Sequence, residues 1–361
     1  MKKLTLKKTL VYLALSCCAF FAAANGNQEQ SQGAGHGQAI KIASVAPNNS
    51  PWDVEQKKLA QEWARITENQ VILQFFDATA LGGEGGVIQK LRTVRPGQRA
   101  PLDGAIFTSL GISQLAPDSH VLTFCVPFMF RNQDEVDYIF DLFSPEIQQA
   151  IKDKGYVLLG WFNVGWIYFS TKESAETPEK LKNLKLAMGG MDSPELNTAF
   201  KTAGFKLEAV SADKLAQNLK APGGVQGVYG IPMYTYATKF YESLPYILDV
   251  PICPILAAFV ISENTWNAIP ESYKLRMREA VKKSQQVFMD VQRETDKQYL
   301  DLMEKAGVTR VKPVGLAHWE DVLQGDARKM ADTGSTVINR DSYYRIESAL
   351  EEYRAAHQSE R

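Results

Sequence analysis

The sequence predicts an α/β fold of two domains, joined by strands that cross a hinge and braced by one long helix. Three observations support this prediction. The chain has 361 residues, a length more typical of two domains than of one. Short apolar strands alternate with helices of about 10–15 residues, as in parallel βαβ units. A helical stretch from Pro270 to Gly307 exceeds the length of one small domain.

The first domain begins with three predicted strands, each separated from the next by a helix. The strands are AIKIASVAP at 39–47, QVILQFFDAT at 70–79 and LDGAIFTS at 102–109. The helices between them are VEQKKLAQEWARITEN at 54–69 and VIQKLRTVRPG at 87–97. This order predicts a doubly wound sheet. The loops at the carboxyl ends of its strands are where such sheets bind ligands.

A strand-rich segment, KGYVLLGWFNVGWIYFST at 154–171, is long enough to cross into a second domain. There NLKLAMGG at 183–190 predicts a short strand that ends at a turn. The helix SPELNTAFKTAG at 193–204 and the strand FKLEAV at 205–210 follow. The apolar, proline-punctuated segment YILDVPICPILAAFVIS at 246–262 predicts a strand that returns to the first domain.

The stretch from Pro270 to Gly307 has helical periodicity, and Gly307 is a stop signal. At about 1.5 Å per residue the helix is roughly 50 Å long, so we expect a spine that packs on both domains. A last helix, SYYRIESALEEYRAAHQ, occupies 342–358. The predicted domains are domain I, with residues 39–162 and 250–290, and domain II, with residues 163–249 and 291–361.

The N-terminal residues 1–24 predict a secretory signal. The basic region MKKLTLKK precedes the apolar run TLVYLALSCCAFFAAA. The A-x-A pattern at 22–24 predicts simple cleavage after Ala24. Lipid attachment at Cys17 is the alternative, although Ala14 stands where a large aliphatic residue is usual. Residues 25–38 have no apolar periodicity and predict a flexible tether.

The net charge gives no sign of a nucleic-acid or membrane-surface partner, and the cysteine content leaves open whether two cysteines form a disulfide. The formal net charge is −1, with 40 basic and 41 acidic residues, so nothing indicates a nucleic-acid partner or an anionic membrane surface. After export only Cys125 and Cys253 remain. They either pair in the oxidising compartment or are two small apolar residues of hydrophobic strands, LTFCVPF and VPICPIL.

The sequence does not predict an enzyme, a metal site or a cofactor. His120 and His318 have no cysteine or carboxylate cluster at metal-ligand spacing beside them, and His318 is expected near a helix start. There is no G-x-S-x-G pattern. The glycines of LGGEGG lack the Lys-Ser/Thr pair of a phosphate-binding loop.

Four segments resemble the substrate-binding proteins of TRAP transporters, the tripartite ATP-independent periplasmic transporters. They are ATALGGEGGVIQKLRTV, VPFMFRNQDEVDYIFD, ETPEKLKNLKLAM and ATKFYESLPYIL. Their order and spacing match the family from about Ile40 to about Tyr353. The resemblance implies a two-domain periplasmic binding protein fold with crossing strands and a spine helix. It also implies a protein that hands a small ligand to a membrane permease from the periplasm.

This chain departs from the family where relatives grip a ligand carboxylate. The position of the family's forked arginine is Ala187, and the crossing segment near Trp166 carries no cation. Gly230 takes the place of a ligand-binding asparagine. A carboxylate buried without a cation costs several kcal/mol, so we expect an apolar or amphipathic, lipid-like ligand.

The residues expected to line the cleft come from the family's segments and are mostly apolar or aromatic. Two polar residues among them have a second interpretation. The Asn48 side chain could stabilise the turn before Pro51, and the Thr108 hydroxyl could bond its own backbone at the strand end. The predicted ligand-binding residues are Asn48, Phe107, Thr108, Phe128, Trp166, Ala187, Met188, Tyr229, Gly230, Met233 and Tyr234.

Three functions remain open at this point. The departures resemble the TRAP variety that works beside a lipoprotein built from tetratricopeptide repeats, for which a hydrophobic ligand has been proposed. A small organic acid held without the usual arginine is the second alternative. The third is a partner-binding protein whose cleft is vestigial.

Overall fold

The computed structural model describes residues 37–93, 100–189 and 193–357, apart from the side chains of Ala212 and Arg293. The predicted signal peptide, Cys17 and the tether up to residue 36 lie outside the described residues. Within the described part, no helix is long and apolar enough to cross a membrane.

The strands form two separate sheets, which we call sheet I and sheet II. In chain order the strands are β1 (Gln38–Ser44), β2 (Val71–Asp77), β3 (Gly104–Thr108), β4 (Tyr156–Trp166), β5 (Tyr168–Thr171), β6 (Lys185–Met188), β7 (Lys206–Leu207), β8 (Gly227–Gly230), β9 (Tyr246–Leu248), β10 (Pro254–Ser262) and β11 (Thr309–Val311).

Helices cover the sheets and connect most of the strands. The α-helices are α1 (Pro51–Ile66), α2 (Gly83–Arg92), α3 (Ser109–Leu115), α4 (Gln133–Asp153), α5 (Pro178–Asn183), α6 (Pro194–Thr202), α7 (Ala212–Lys220), α8 (Pro232–Ala237), α9 (Glu263–Ala268), α10 (Glu271–Lys305), α11 (Leu316–Asp332) and α12 (Arg340–His357). Short 3₁₀ turns occupy Thr79–Leu81, Pro117–Ser119, Val121–Cys125 and Phe240–Glu242.

Sheet I has the order β2-β1-β3-β10-β4. Strand β1 pairs in parallel with both β2 and β3, which confirms the predicted βαβ units. Strand β10 is antiparallel to β3 and to β4. The reason is that β10 starts at the edge where β3 ends, with Ala257 opposite Thr108, and therefore runs back across the sheet.

Sheet II has the order β11-β9-β5-β8-β6-β7. Strand β6, predicted from NLKLAMGG, pairs in parallel with β7 and β8, whereas β5 is antiparallel to β8 and β9. Two sheets with helices between their strands confirm the predicted two-domain α/β fold. The division at residues 162, 249 and 290 stays a prediction.

Two neighbouring segments cross between the sheets. Strand β4 of sheet I is separated from β5 of sheet II by Ile167 alone. The Ile167 N–H donates to the carbonyl of Cys253 at 2.9 Å, and the Ile252 N–H donates to the carbonyl of Ile167 at 2.9 Å. Residues 252 and 253 lie on the path from β9 to β10, so the two crossings are hydrogen-bonded to each other. The predicted return of the chain to the first sheet is confirmed.

The predicted spine is α10, a single helix of 35 residues. It ends just before Gly307, whose φ of 98° lies in the left-handed region that favours glycine. The helix packs against α1 and β4 on the side of sheet I and against α8 on the side of sheet II. The Trp63 indole N–H donates to the Met277 carbonyl at 3.2 Å and helps to hold α1 on the spine.

Cys125 and Cys253 are free thiols, which supports their interpretation as small apolar residues. Cys253 is 1% exposed, and its Sγ lies 2.8 Å from the Tyr229 hydroxyl oxygen. Burial raises the pKa of the Cys125 thiol to about 11, and burial likewise raises the pKa of Cys253. Both thiols are therefore held in the neutral form at ordinary pH.

Candidate functional site

A cavity of about 690 Å³ lies where residues after the sheet I strands face residues of the sheet II side, and we call it the cleft. Its walls come from loops and helix starts, because strand ends leave backbone and side chains free to face a ligand. The lining residues are Val45, Ala46, Pro47, Asn48, Trp52, Asp77, Ala78, Thr79, Gly82, Gly83, Glu84, Gly85, Thr108, Leu110, Gln114, Val164, Gly189, Ser193, Val210, Ile231, Met233, Tyr234 and Ile255.

Glu84 is the central polar group of the sheet I wall. It stands in the first turn of α2, directly after Gly82 and Gly83, whose positive φ angles of 94° and 70° allow the sharp entry into the helix. Glu84 Oε1 accepts a 2.5 Å hydrogen bond from the Thr108 backbone N–H, and Oε2 accepts a 2.8 Å bond from the Thr108 hydroxyl. This pair ties the start of α2 to the end of β3.

The Glu84 carboxyl has no cationic partner among the described residues. Loss of hydration raises the pKa of Glu84 above its usual range, and hydrogen bonds from Thr108 and Gly111 offset that rise only in part. Asp77 is a second acid in the wall, and its Oδ1 accepts from the Thr79 N–H at 2.8 Å. None of the described residues that line the cleft is a lysine, arginine or histidine. The cleft is therefore neutral to acidic.

The sheet II wall is mostly apolar, with Ser193 at the start of α6 as a polar exception. Helix α8 begins with Pro232 after the strand β8, so Met233 and Tyr234 lie in its first turn and line the cleft. Ile231 lies just before the helix. The Tyr234 ring packs edge-on against Phe240, with ring centroids 5.8 Å apart and an angle of 75° between the ring planes, which helps to fix its orientation. Burial raises the pKa of Tyr234, so its phenol stays neutral.

Four of the predicted ligand-binding residues line the cleft: Asn48, Thr108, Met233 and Tyr234. Asn48 is exposed on the loop after β1. Thr108 also serves as the N-cap of α3, where its hydroxyl accepts from the Leu110 N–H at 3.2 Å. The neighbouring Asn49 belongs to the turn before α1, where its N–H donates to Asp53 Oδ2 at 2.8 Å.

The other seven predicted residues do not line the cleft. Five are core side chains with little exposure: Phe107 (1%), Phe128 (6%), Ala187 (0%), Met188 (2%) and Tyr229 (4%). Gly230 is buried in β8, where it pairs with Tyr168. Trp166 faces a second cavity. Both faces of β6 are covered, since Ala187 and Met188 are consecutive residues that pack into two different apolar clusters. Their contact with ligand stays a prediction.

Sequence reasoning missed Glu84, Asp77 and Trp52 as cleft residues. A signal for Glu84 was present, since it is the only charge in the glycine run LGGEGG after a predicted strand. Trp52 carried no such signal. It follows Pro51 at the start of α1, and its indole N–H donates to Gln292 Oε1 of α10 at 3.0 Å. In the described residues no group of three or more His, Cys, Asp or Glu could hold a metal ion.

Comparisons with known proteins place this geometry in context. The model of the DctP family, described as bacterial extracellular solute-binding protein, family 7, matches residues 42–333. A TRAP periplasmic solute-binding protein from Sulfurospirillum deleyianum, solved with bound succinate, is 18% identical with a TM-score of 0.72, over 86% of this chain and 98% of its own.

Two further solved structures are similar. A TRAP periplasmic solute-binding protein from Chromohalobacter salexigens, solved with bound D-glucuronate, is 18% identical with a TM-score of 0.73, over 86% of this chain and 99% of its own. A sugar acid binding protein from Advenella mimigardefordensis, in complex with galactonate, is 17% identical with a TM-score of 0.75, over 88% of this chain and 98% of its own. Such likeness establishes the fold.

Proposed function

Because the chain belongs to the DctP family of bacterial extracellular solute-binding proteins, we propose that it is the binding subunit of a TRAP transporter. It captures an apolar or amphipathic, lipid-like ligand in the cleft and delivers it to a membrane permease. One observation carries this ligand class. The described lining of the cleft contains two carboxylates, Asp77 and Glu84, and no basic side chain.

The charge of the cleft disfavours an anionic ligand. A carboxylate that leaves water for this cleft loses its hydration, and no cation is present in the described lining to compensate. Asp77 and Glu84 add like-charge repulsion whenever they are ionised. At Ala187, where the resemblance to the family places an arginine, the side chain is small, neutral and fully buried. An apolar ligand meets none of these costs.

The two walls of the cleft suit a molecule with two different ends. Thr79, Glu84 and Thr108 can bond a hydroxyl or ammonium group at the sheet I wall, and Met233 and Tyr234 contact an apolar body at the sheet II wall. A volume of about 690 Å³ falls in the range of roughly 300–1,000 Å³ that is usual for small-molecule sites. These features support an amphipathic ligand.

An organic acid is the second candidate ligand. The solved relatives carry succinate, D-glucuronate and galactonate, which favours this class. Without a basic side chain, its carboxylate would depend on neutral donors such as the Asn48 amide, because the Thr108 hydroxyl already donates to Glu84. A partner-binding protein with a vestigial cleft is the third candidate.

We also propose a lipoprotein of tetratricopeptide repeats as a partner, beside the permease. This rests on the joint loss of three polar anchors, at Ala187, Gly230 and the segment around Trp166. The genes next to this one should then encode a permease and such a lipoprotein. Co-purification of the lipoprotein with the mature chain checks the interaction directly.

Ligand extraction tests the proposed function. The mature chain is purified without detergent, and its bound molecules are identified by native mass spectrometry and by organic extraction. We expect an equimolar apolar or amphipathic molecule. A dicarboxylate or sugar acid at full occupancy would overturn the ligand class. The protein could instead be empty, fail to bind the neutral fluorophore N-phenyl-1-naphthylamine, and keep the same small-angle scattering profile when the fluorophore is added. That result would support the third candidate, a partner-binding protein with a vestigial cleft.

A further inference from the structure

A second cavity of about 370 Å³ shares no lining residue with the cleft. It lies beside the crossing segment, where Trp166 ends β4 and Tyr168 begins β5. The spine α10 contributes a second wall, and the loop before α4 contributes a third. We call it the hinge cavity. Unlike the cleft, its described lining is rich in cations and amides.

Four buried polar side chains line the hinge cavity: Asn163, Tyr168, Gln292 and Asp296, which are 5%, 8%, 6% and 8% exposed. Three of them are held in place by hydrogen bonds. The Asn163 amide donates to Gln133 Oε1, Gln292 donates to Asp296 Oδ1 at 3.0 Å, and Asp296 Oδ2 accepts from the Trp166 N–H at 2.8 Å. Such pre-positioned polar groups are typical of a ligand site.

The Tyr168 hydroxyl is different, because it has no hydrogen-bond partner among the described residues. Burial, together with the nearby negative charges of Asp296 and Asp249, raises the pKa of Tyr168. The phenol therefore keeps its proton and can donate. Because Tyr168 lines the hinge cavity, its hydroxyl can donate to a molecule held there.

Two exposed cations stand at the rim of the hinge cavity, Arg131 and Lys297. Neither forms an ion pair with another described residue. A third cation, Arg310, is already neutralised, since its Nη2 lies 2.6 Å from Asp249 Oδ1. The rim therefore offers two cations without an ion-pair partner among the described residues, although Arg131 is near enough to Glu135 to help lower the pKa of that carboxyl, and Asp296 lies in the polar floor. This arrangement attracts an anion.

The remaining lining has the chemistry of a site for a hydroxylated molecule. Asn132 Oδ1 already accepts from the Glu135 N–H, and Gln133 already bonds Asn163 and Asp137, so the Asn132 NH2 group is the donor that remains for a hydroxyl. The Trp166 ring offers an apolar surface against which the C–H groups of a polyol can pack. An inorganic anion alone would leave the ring unused.

We propose that the hinge cavity is a second ligand site, for a small carboxylic acid that carries several hydroxyl groups. Arg131 and Lys297 hold its carboxylate, and the Tyr168 hydroxyl and the Asn132 amide bond its hydroxyls. Trp166 packs against its carbon chain. Nothing in this assignment uses the cleft, so the two sites take chemically different molecules.

Titration calorimetry at low salt tests the site with gluconate and two matched molecules. Hexanoate keeps the carboxylate but has no hydroxyls, and sorbitol keeps the hydroxyls but has no charge. We expect saturable gluconate binding, and at least roughly tenfold weaker binding of hexanoate and of sorbitol. Absence of saturable gluconate binding, or equal binding of hexanoate, would overturn the proposal.

Variants place the binding in the hinge cavity rather than the cleft. The double variant Arg131→Ala with Lys297→Ala should weaken gluconate binding at least about tenfold, since both charges are lost. Tyr168→Phe should weaken it about threefold or more, by removing one donor. Lys282→Ala, an exposed lysine elsewhere on α10, is the matched control and should change nothing.

A cleft variant separates this proposal from the proposed function. Glu84→Gln should leave gluconate binding unchanged. If Glu84→Gln alters gluconate binding and the double rim variant does not, gluconate binds in the cleft. That outcome overturns the second site and supports the organic-acid alternative for the cleft. Both rim residues are exposed, so their loss should not prevent folding, which circular dichroism checks.

Discussion

The carboxylate of Asp296 accepts a 2.8 Å hydrogen bond from the backbone N–H of Trp166, although the two residues are 130 positions apart in the chain. Asp296 belongs to the spine α10, and Trp166 is the last residue of β4 before the crossing. Gln292 bonds both the Asp296 carboxylate and the Trp52 indole. One line of hydrogen bonds therefore joins α1, the spine and the crossing segment.

Asp296 should make stability depend on pH. Burial raises the pKa of Asp296 from 3.8 to about 7, although Trp166 and Gln292 bond the charged form. The folded state therefore holds a proton that the unfolded state releases between about pH 4 and pH 7, so stability falls as pH rises through that window. At about 1.36 kcal/mol per pKa unit, the loss is at most about 4 kcal/mol.

The variant Asp296→Asn should remove this pH dependence. Urea unfolding at about pH 5 and pH 8 should give a smaller difference in the free energy of unfolding than in the parent. The titratable groups that line the same cavity as Asp296 are Arg131, Tyr168, Lys297 and Arg310, and Asp296 raises the pKa of Tyr168. Asp290→Asn, at an exposed position of the same helix, is the control. An unchanged difference in Asp296→Asn would mean that another group titrates.

Ala187→Arg should destabilise the protein. Ala187 is 0% exposed and packs in an apolar cluster with Val228 and Leu215, so an arginine there would bury a charge without a partner. We expect a loss of about 3 kcal/mol or more in the free energy of unfolding, measured with urea. Lys185→Arg on the same strand is the control. Full stability with lost ligand binding would instead show that the new side chain reaches the cleft.

Tyr234→Lys should weaken apolar ligands. Tyr234 is partly exposed and lines the apolar wall of the cleft. A lysine there would have to lose hydration against an apolar guest, so the affinity for N-phenyl-1-naphthylamine should fall about tenfold in a fluorescence titration. Tyr234→Phe keeps the ring and should change the affinity by less than about twofold. Equal affinities for all three proteins would place the fluorophore elsewhere.

The acidic wall should set a preference for the charge of the ligand's polar end. Dodecylamine, dodecanol and laurate share one chain length and differ in the head group. At about pH 8 we expect the parent to prefer the amine over laurate, because Glu84 and Asp77 attract the cation and repel the anion.

Glu84→Gln should reduce that preference by roughly five- to tenfold, as one charge is lost while an amide oxygen still accepts from Thr108. Glu62→Gln, on the exposed part of α1, is the control. Competition with N-phenyl-1-naphthylamine measures all three affinities. A preference for laurate in the parent would contradict the proposed charge of the site.

Much of the fold could be predicted from sequence. The first three strands, the spine from Glu271 to Lys305 and the crossing at 154–171 were all visible as local periodicity. Hydrophobic periodicity depends on residues close together in the chain, so it can be read from the sequence without knowing the tertiary structure. The direction of β10 was not visible. It depends on where the preceding crossing enters sheet I.

The cleft was harder to predict than the fold. Thr108 and Met233 were expected there and line it, whereas Phe107 and Met188 were expected there and lie in the core. Phe107 and Met188 each lie one residue before a cleft residue, Thr108 and Gly189, and a strand turns neighbouring side chains to opposite faces. An irregular register between β10 and β4, at Ile255 and Leu256, shifts the faces further.

The sequence by itself determined the α/β class, the spine helix and the presence of Ala187 where the resemblance expects an arginine, because each depends on residue type and local order. The tertiary structure alone decided which side chains share a cavity. Glu84 meets Thr108 across 24 positions, and Asp296 meets Trp166 across 130. Such pairs form only when distant elements pack. The acidic cleft and the cationic hinge cavity are therefore properties of the folded chain.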